Sequence, residues 1–281
     1  MPPNQRPNNL RRPEPASGRT GARPAVGRIL ARILAAALAV AVPSQGWASR
    51  HCPAGQVYLT LDTGGMQAAD HIADVMRRHG VRATFFLANE ATVRGDRSLE
   101  PGWTSYWRER AAEGHAFGSH TWRHWYLRAD LDDGRIRYVS AEGRAEPLDR
   151  TAFCEELGAV DRAFREMTGR GLDPIWRAPG GRTTPRALDW ARGCGFPRHV
   201  GWSKAGFLGD ELPSDKYPNK MLLDRALRTI RDGDVLMMHL GIWSRREPFA
   251  EVFEPLVVGL KERGFCFATL TDGTEGGGKR P

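Results

Sequence analysis

Four side chains suited to hydrolytic chemistry stand at the ends of short apolar runs in this 281-residue sequence. Asp62, His120, Arg177 and His239 each close or directly follow a run that predicts a β-strand. One aspartate after a strand is usually a turn residue or a helix cap. Four such polar residues at the ends of four predicted strands indicate instead a shared site, where a carboxylate accepts a proton and a histidine donates one.

His120 and His124 extend this pattern. They are four residues apart in the sequence His-Thr-Trp-Arg-His, and a helix or a turn would bring both imidazoles to one side. Neutral imidazole is a good ligand for zinc and neighbouring transition metals. The spacing alone is a weak signal, but its place after a predicted strand favours a shared divalent ion.

The elements that must position these residues alternate between strands and helices. Predicted strands cover residues 57–61, 82–87, 115–119, 174–177, 200–203, 235–239 and 265–270. Predicted helices cover residues 68–79, 105–113, 153–167, 185–192, 219–232 and 251–263. Repeated β/α units predict parallel strands, in a barrel or an open doubly wound sheet, and chemistry then collects at the carboxyl ends of the strands.

A polar segment at residues 126–152 interrupts the alternation. It contains a predicted hairpin with a turn at residues 141–143, and we interpret it as an insertion over the face that carries the site. The expected organisation is a leader at residues 1–48, one α/β domain at residues 55–272 and a Gly-rich tail at residues 273–281.

The leader has the pattern of an export signal. A basic region precedes the apolar run 33–42, and Pro43 and small residues follow it, so that cleavage is expected after Ala48. The run is shorter than the about 20 apolar residues of a membrane span. We therefore expect a periplasmic or secreted protein. An uncleaved leader that anchors the chain in the inner membrane, and a misassigned start codon, are the open alternatives.

The distribution of charge argues against nucleic acid as a partner. Seven arginines and one acid lie in the first 48 residues, so most of the formal net charge of +8 belongs to the leader. The remaining chain has no basic stripe with interleaved aromatic residues.

Four cysteines follow the leader: Cys52, Cys154, Cys194 and Cys266. Their spacing is not that of a zinc site. Disulfides suit an oxidising periplasm, and four separate buried thiols are the alternative. Cys52 precedes the first strand and Cys266 begins the last, and these strands are neighbours in a closed barrel, so we favour a bridge between them.

From residue 57 to residue 270 the chain resembles the NodB-homology polysaccharide deacetylases of carbohydrate esterase family four. Four segments carry the resemblance: Leu-Thr-Leu-Asp-Thr-Gly ending at Gly64, His-Thr-Trp-Arg-His ending at His124, Arg-Ala-Pro-Gly-Gly starting at Arg177, and Val-Leu-Met-Met-His ending at His239. They occur in the family's order and at predicted strand ends.

The resemblance implies a deformed (β/α) barrel, an α/β fold, and a metal-dependent hydrolase. Asp62 would be the general base, Arg177 would hold it, and His239 would be the general acid. His120 and His124 would bind a divalent metal, for which zinc is expected.

Two positions depart from the family pattern. Thr63 replaces a second aspartate that is normally the third metal ligand, and a hydroxyl is a poorer ligand than a carboxylate, so weak metal binding is expected. Ala205 stands where the family has an aspartate that orients the acid histidine. Asp210 or Glu211 would substitute only if their loop folds back.

The resulting prediction is an exported polysaccharide deacetylase that removes N-acetyl groups from an amino-sugar polymer. O-deacetylation stays open. A catalytically silent carbohydrate-binding protein is the alternative from another class, motivated by the two departures. Four tryptophans near the motifs fit either sugar stacking or ordinary packing: Trp122, Trp125, Trp202 and Trp243.

Overall fold

A computed structural model describes residues 52–272. This part of the chain contains the strands β1 (Gly55–Asp62), β2 (Thr84–Leu87), β3 (Ala116–Ser119), β4 (Tyr126–Asp130), β5 (Ile136–Val139), β6 (Ala145–Leu148), β7 (Ile175–Trp176), β8 (Arg198–His199), β9 (Val235–His239) and β10 (Phe265–Phe267). Its α-helices are α1 (Ala69–His79), α2 (Thr104–Ala112), α3 (Arg150–Thr168), α4 (Pro185–Gly193), α5 (Asn219–Thr229) and α6 (Phe253–Glu262).

Seven strands form one parallel sheet. Its hydrogen-bonded order is β10–β1–β2–β3–β7–β8, and β9 also pairs with β1. The first half of β1 pairs with β10 and the second half with β9. A bridge between Phe207 and Met237 brings the segment after β8 alongside β9. The predicted deformed (β/α) barrel is confirmed, and all these strands direct their carboxyl ends to one side.

The helices bury the faces that their sequence pattern predicts. Helix α1 buries Ile72, Val75 and Met76 and ends at Gly80, whose φ of 59° is left-handed. Glycine adopts this conformation without the steric penalty of a Cβ atom, which explains why the helix stops there. Strand β2 is buried along its whole length, as expected for a parallel strand covered on both faces.

The interruption is a small sheet rather than a single hairpin. Strands β4, β5 and β6 are antiparallel and pair in sequence order. The predicted turn lies between β5 and β6, whereas β4 was missed. Helix α3 begins earlier than predicted because Asp149 caps it, accepting a hydrogen bond from the backbone N–H of Ala152 at 2.8 Å.

The strand predicted at residues 200–203 is wrong. The strand in this region is β8, which ends at His199. The chain after it does not continue the strand, because two of its carbonyl groups bind Arg177. The carbonyl oxygens of Val200 and Gly201 accept hydrogen bonds from the guanidinium of Arg177 at 3.0 and 2.9 Å. The polar site thus overrides the local strand preference.

Two disulfides tie the described domain together. Cys52 is bonded to Cys266, with their Cα atoms 5.5 Å apart, so the favoured bridge is confirmed. Cys154 is bonded to Cys194, which joins α3 to the end of α4. The alternative of four separate thiols is wrong.

The predicted leader at residues 1–48 and tail at residues 273–281 lie outside the described residues. Within residues 52–272, each helix is too short or too polar to cross a bilayer.

Candidate active site

The predicted site residues meet at the carboxyl end of the parallel sheet. Asp62 ends β1 and His239 ends β9, and the two residues are paired in the strand register. His120 follows β3, and its backbone N–H donates to the carbonyl of Leu87 at 2.7 Å. Arg177 follows β7. Their shared position therefore follows from the parallel pairing of four strands.

Asp62 and Arg177 form a buried ion pair. The guanidinium donates to Asp62 Oδ1 at 2.7 Å, and both side chains are almost fully buried. Burial alone would raise the pKa of Asp62, but the charge and hydrogen bond of Arg177, with His120 and His239 nearby, lower it. The base predicted from sequence is thus held in its ionised, proton-accepting form.

His120 presents a lone pair to the same carboxylate. Its Nδ1 lies 2.8 Å from the carbonyl oxygen of Arg177, which can only accept, so Nδ1 carries the proton. Burial lowers the pKa of His120 to about 4, and the neutral ring leaves Nε2 unprotonated. Nε2 lies 3.4 Å from Asp62 Oδ2. Two acceptors therefore face each other, an arrangement that a cation between them would stabilise.

The segment from His120 to His124 is a turn rather than a helix. Thr121 and His124 both have left-handed backbone conformations, with φ of 65° and 56°. Such conformations are strained for residues with a side chain and tend to occur at functional sites. The turn brings the two imidazole rings to a centroid distance of 4.8 Å.

Glu90 is a site residue that the sequence analysis missed. It lies three residues beyond β2, and its Oε1 is 3.2 Å from His124 Nδ1. Its Oε2 accepts from the Thr63 hydroxyl at 2.6 Å and from the backbone N–H of Gly64 at 2.8 Å. Burial raises the pKa of Glu90, but His124, the Thr63 hydroxyl and His120 outweigh burial and lower it. Its signal was a carboxylate three residues beyond a predicted strand, which is weaker than that of Asp62, the residue directly after its strand.

His239 has a carboxylate partner from a loop that folds back. Asp210 Oδ2 accepts from the backbone N–H of His239 at 2.7 Å and lies 3.1 Å from its Nδ1. Glu211 is 4.0 Å from Nε2. Burial lowers the pKa of His239, but Asp210, Asp62 and Glu211 raise it to about 10. The ring is therefore protonated at neutral pH. Asp210 orients His239 in place of the aspartate that is missing at Ala205.

The tryptophans divide between packing and exposure. Trp125 packs against Tyr138 in a core cluster, and Trp202 stacks on Phe207. Trp243 is 61% exposed and lines an open pocket that also contains His239. Trp125 is therefore a core-packing residue. Trp243 has an exposed ring face on which a sugar could stack.

The donors near His120 and His124 fit a divalent cation by type. Two imidazoles face two carboxylates: His120 Nε2 lies 3.4 Å from Asp62 Oδ2, and His124 Nδ1 lies 3.2 Å from Glu90 Oε1. The facing atoms of Asp62 and His120 are free of protons. The donors are grouped as two pairs. Among residues 52–272, no three His, Cys, Asp or Glu side chains already surround a single point as metal ligands do. The fit therefore rests on the chemistry of the donor set.

The sequence model for the polysaccharide deacetylase family matches residues 50–199, more than half of the chain. The chain belongs to the polysaccharide deacetylase family. This agrees with the predicted assignment to the polysaccharide deacetylases. The matched region contains the Asp62, His120 and Arg177 segments, whereas the segment ending at His239 lies beyond it.

A chitooligosaccharide deacetylase from Azorhizobium caulinodans is 23% identical over 225 residues, which cover 76% of this chain and 92% of that protein. An acetyl xylan esterase of family 4 from Clostridium thermocellum, solved with a cobalt ion, aligns with a TM-score of 0.60 and 19% identity over 77% of this chain and 89% of that one. A family 4 pseudoenzyme from Bacillus anthracis aligns with a TM-score of 0.58 and 18% identity over 79% of this chain and 66% of that one. These structures share the polysaccharide deacetylase fold.

All predicted site residues thus lie in one region, and their chemical roles stay predictions. Asp62, Arg177 and His120 are in direct contact, and His239 is the neighbour of Asp62 on the sheet. Thr63 lies beside the site, but its hydroxyl donates to Glu90.

Proposed function

We propose that the protein is an exported, metal-dependent N-deacetylase of an amino-sugar polymer. The observation that carries this proposal is the pairing of Asp62 with His239 across adjacent strands, each with a partner that fixes its protonation state. A general base must be ionised and a general acid protonated at the working pH.

In the proposed reaction, Asp62 accepts a proton from the water that attacks the acetyl carbon. His239 donates a proton from Nε2 to the amine nitrogen as the carbon–nitrogen bond breaks, which releases acetate and leaves a free amino group. A divalent ion, for which zinc is expected, would polarise the acyl carbonyl and make water more acidic. Arg177 keeps Asp62 ionised and oriented, and its two bonds to backbone carbonyls fix its own position.

The Azorhizobium relative and other relatives named as peptidoglycan and chitin deacetylases support an amino-sugar polymer as substrate. The exposed indole of Trp243 beside His239 offers a stacking surface for a sugar ring. Two disulfides support an oxidising compartment, in agreement with the export signal expected at residues 1–48. Export is tested by N-terminal sequencing of the protein recovered from the periplasm, where cleavage after Ala48 is expected.

The decisive experiment measures acetate released from chitin oligomers, peptidoglycan and poly-N-acetylglucosamine by the purified protein with added zinc. Release that disappears in His239→Ala supports the proposal. A protein that binds these polymers but releases no acetate from any of them would be the silent carbohydrate-binding protein. That second function is motivated by Thr63 and by the pseudoenzyme with the same fold, and the intact Asp62–His239 pair argues against it.

A further inference from the structure

Thr63 stands where the family pattern has a carboxylate metal ligand, but its hydroxyl is a poor ligand for a divalent cation. Its side chain is fully buried and its hydroxyl is already engaged twice. It donates to Glu90 Oε2 at 2.6 Å and accepts from the backbone N–H of Ala88 at 3.2 Å. A hydroxyl committed in this way orients a neighbour instead of binding a cation.

Glu90 has the chemistry that Thr63 lacks, and the fold brings it to the same place. Strands β1 and β2 are paired neighbours, so the residues after their ends lie side by side. Glu90 is longer than an aspartate by one methylene and starts three residues beyond β2. It reaches back to the loop after β1, where its Oε2 accepts from Thr63 and Gly64.

The remaining oxygen of Glu90 faces His124, the second histidine of the pair. Oε1 lies 3.2 Å from His124 Nδ1, and the rings of His124 and His120 are neighbours. The backbone of Glu90 is fixed by Ser98, whose N–H donates to the Glu90 carbonyl at 2.9 Å and whose hydroxyl accepts from the Glu90 N–H at 3.2 Å. One oxygen is therefore held by the first loop and the other is presented to the site.

We propose that Glu90 is the carboxylate ligand of a His–His–Glu divalent metal site formed with His120 and His124, and that Thr63 positions it. Two histidines and one glutamate are an established ligand set for catalytic zinc. The net charge of the ligands equals that of two histidines and an aspartate, because one carboxylate has replaced another. We therefore expect zinc affinity comparable to that of a site with two histidines and an aspartate, and not the weak metal binding that Thr63 alone would predict. This proposal rests on the metal dependence in the proposed function.

The test is zinc titration by calorimetry of the full-length protein after metal removal, with bound zinc also counted by elemental analysis. Glu90→Gln keeps the size of the side chain but removes its charge. Because a ligand is lost, we expect zinc affinity to fall by more than the about 10-fold to 100-fold that loss of a ligand-orienting group costs. The double variant Thr63→Asp, Glu90→Gln returns a carboxylate to the other strand and should recover most of the loss. Glu166→Gln, which removes an exposed charge from α3, is the matched control and should bind as the wild type does.

The role of Thr63 is tested in the same titration. Thr63→Val removes the hydroxyl that holds Glu90 and should weaken zinc binding by about 10-fold to 100-fold, the range found for groups that orient metal ligands. Thr63→Ser keeps the hydroxyl and should bind as the wild type does. If Glu90 were only a structural residue, its variant would lower the melting temperature without changing zinc affinity.

Wild-type affinity in Glu90→Gln would overturn the ligand assignment, as would a failure of the wild type to bind zinc. Acetate release measured in parallel separates this proposal from the proposed function. Zinc binding that depends on Glu90, without acetate release, would contradict the deacetylase function but not the ligand assignment. If the wild type releases acetate but its zinc affinity does not depend on Glu90, the ligand assignment is contradicted and the proposed function is not.

Discussion

The environment of each functional group in the site sets its protonation state. Arg177 holds the carboxylate of Asp62 in its ionised form, and Asp210 holds the imidazole of His239 in its protonated form. His120 is kept neutral by burial, with its proton on the side away from Asp62. Base, acid and ligand are thereby distinguished by environment, although two of the three are histidines.

Asp62→Asn should abolish acetate release without unfolding the protein. The amide keeps the shape of the side chain but cannot accept the proton of water, and loss of a positioned base lowers rates by about 10²-fold to 10⁴-fold. The measurement is the kcat for acetate release, with circular dichroism as the control for folding. Undiminished release would remove Asp62 from the mechanism.

Asp210→Asn should move the high-pH limit of activity to lower pH. His239 donates a proton only below its pKa, which Asp210, Asp62 and Glu211 raise to about 10 against the opposing effect of burial. Removing the nearest negative charge lowers that pKa, so activity is lost earlier as the pH rises. The pH profile of kcat measures the shift.

Glu211→Gln is the matched control for this prediction. Glu211 is partly exposed and lies 4.0 Å from His239 Nε2, so its removal should shift the profile less. Arg245, whose charge interacts with that of Asp210, is present in both variants. Equal shifts in the two variants, or a lower kcat with an unmoved profile, would contradict a specific role for Asp210.

The sequence predicts residues better where they follow a strand directly than where they lie further along a loop. Asp62 and His239 were identifiable because each closes an apolar run. Asp210 could only be named as one of two candidates, since the sequence does not reveal that its loop returns to β9. Glu90 was missed because it lies three residues beyond β2, and the sequence does not reveal that its side chain reaches the loop after the neighbouring strand β1.

At the level of elements, regular β/α units were predictable and short strands in polar surroundings were not. Helix α1 and strand β9 have strong periodic or apolar patterns, and their positions agree with prediction. Strand β8 was placed too late because the apolar Val200 suggests pairing, while the structure uses its carbonyl to bind Arg177. Such a tertiary contact leaves no periodic signal.

The loop after β9 is expected to contribute to sugar binding through Trp243. Trp243 is 61% exposed there and lines the pocket beside His239, which suits stacking on a sugar ring. An aromatic contact of this kind is worth about 0.5–1.5 kcal/mol. Trp243→Ala should therefore raise KM for chitin oligomers by about 2-fold to 10-fold and leave kcat nearly unchanged. Trp243→Phe should retain most of the binding, and a KM equal to that of the wild type in the alanine variant would exclude the stacking role.

At the level of the whole molecule, the disulfide between Cys52 and Cys266 joins the start of the described domain to its last strand. It spans a sequence separation of 214, against 40 for Cys154 and Cys194. Replacing Cys52 and Cys266 with alanine should lower the free energy of unfolding by about 2–5 kcal/mol. In the chain-entropy model the shorter loop stabilises less, so the corresponding Cys154 and Cys194 variant should lose less. Urea unfolding of both variants measures the difference, and a larger loss in the second would contradict this ordering.

The pairing of Asp62 with His239 has a consequence for how the protein can diversify. Because both residues belong to one ladder of backbone hydrogen bonds, their separation is governed by the spacing of adjacent strands, about 4.8 Å. Loops can lengthen, shorten or exchange aromatic residues without altering that spacing. Recognition of different polymers can therefore change independently of the proton-transfer geometry, and a change in the reaction itself would require remodelling of the strands.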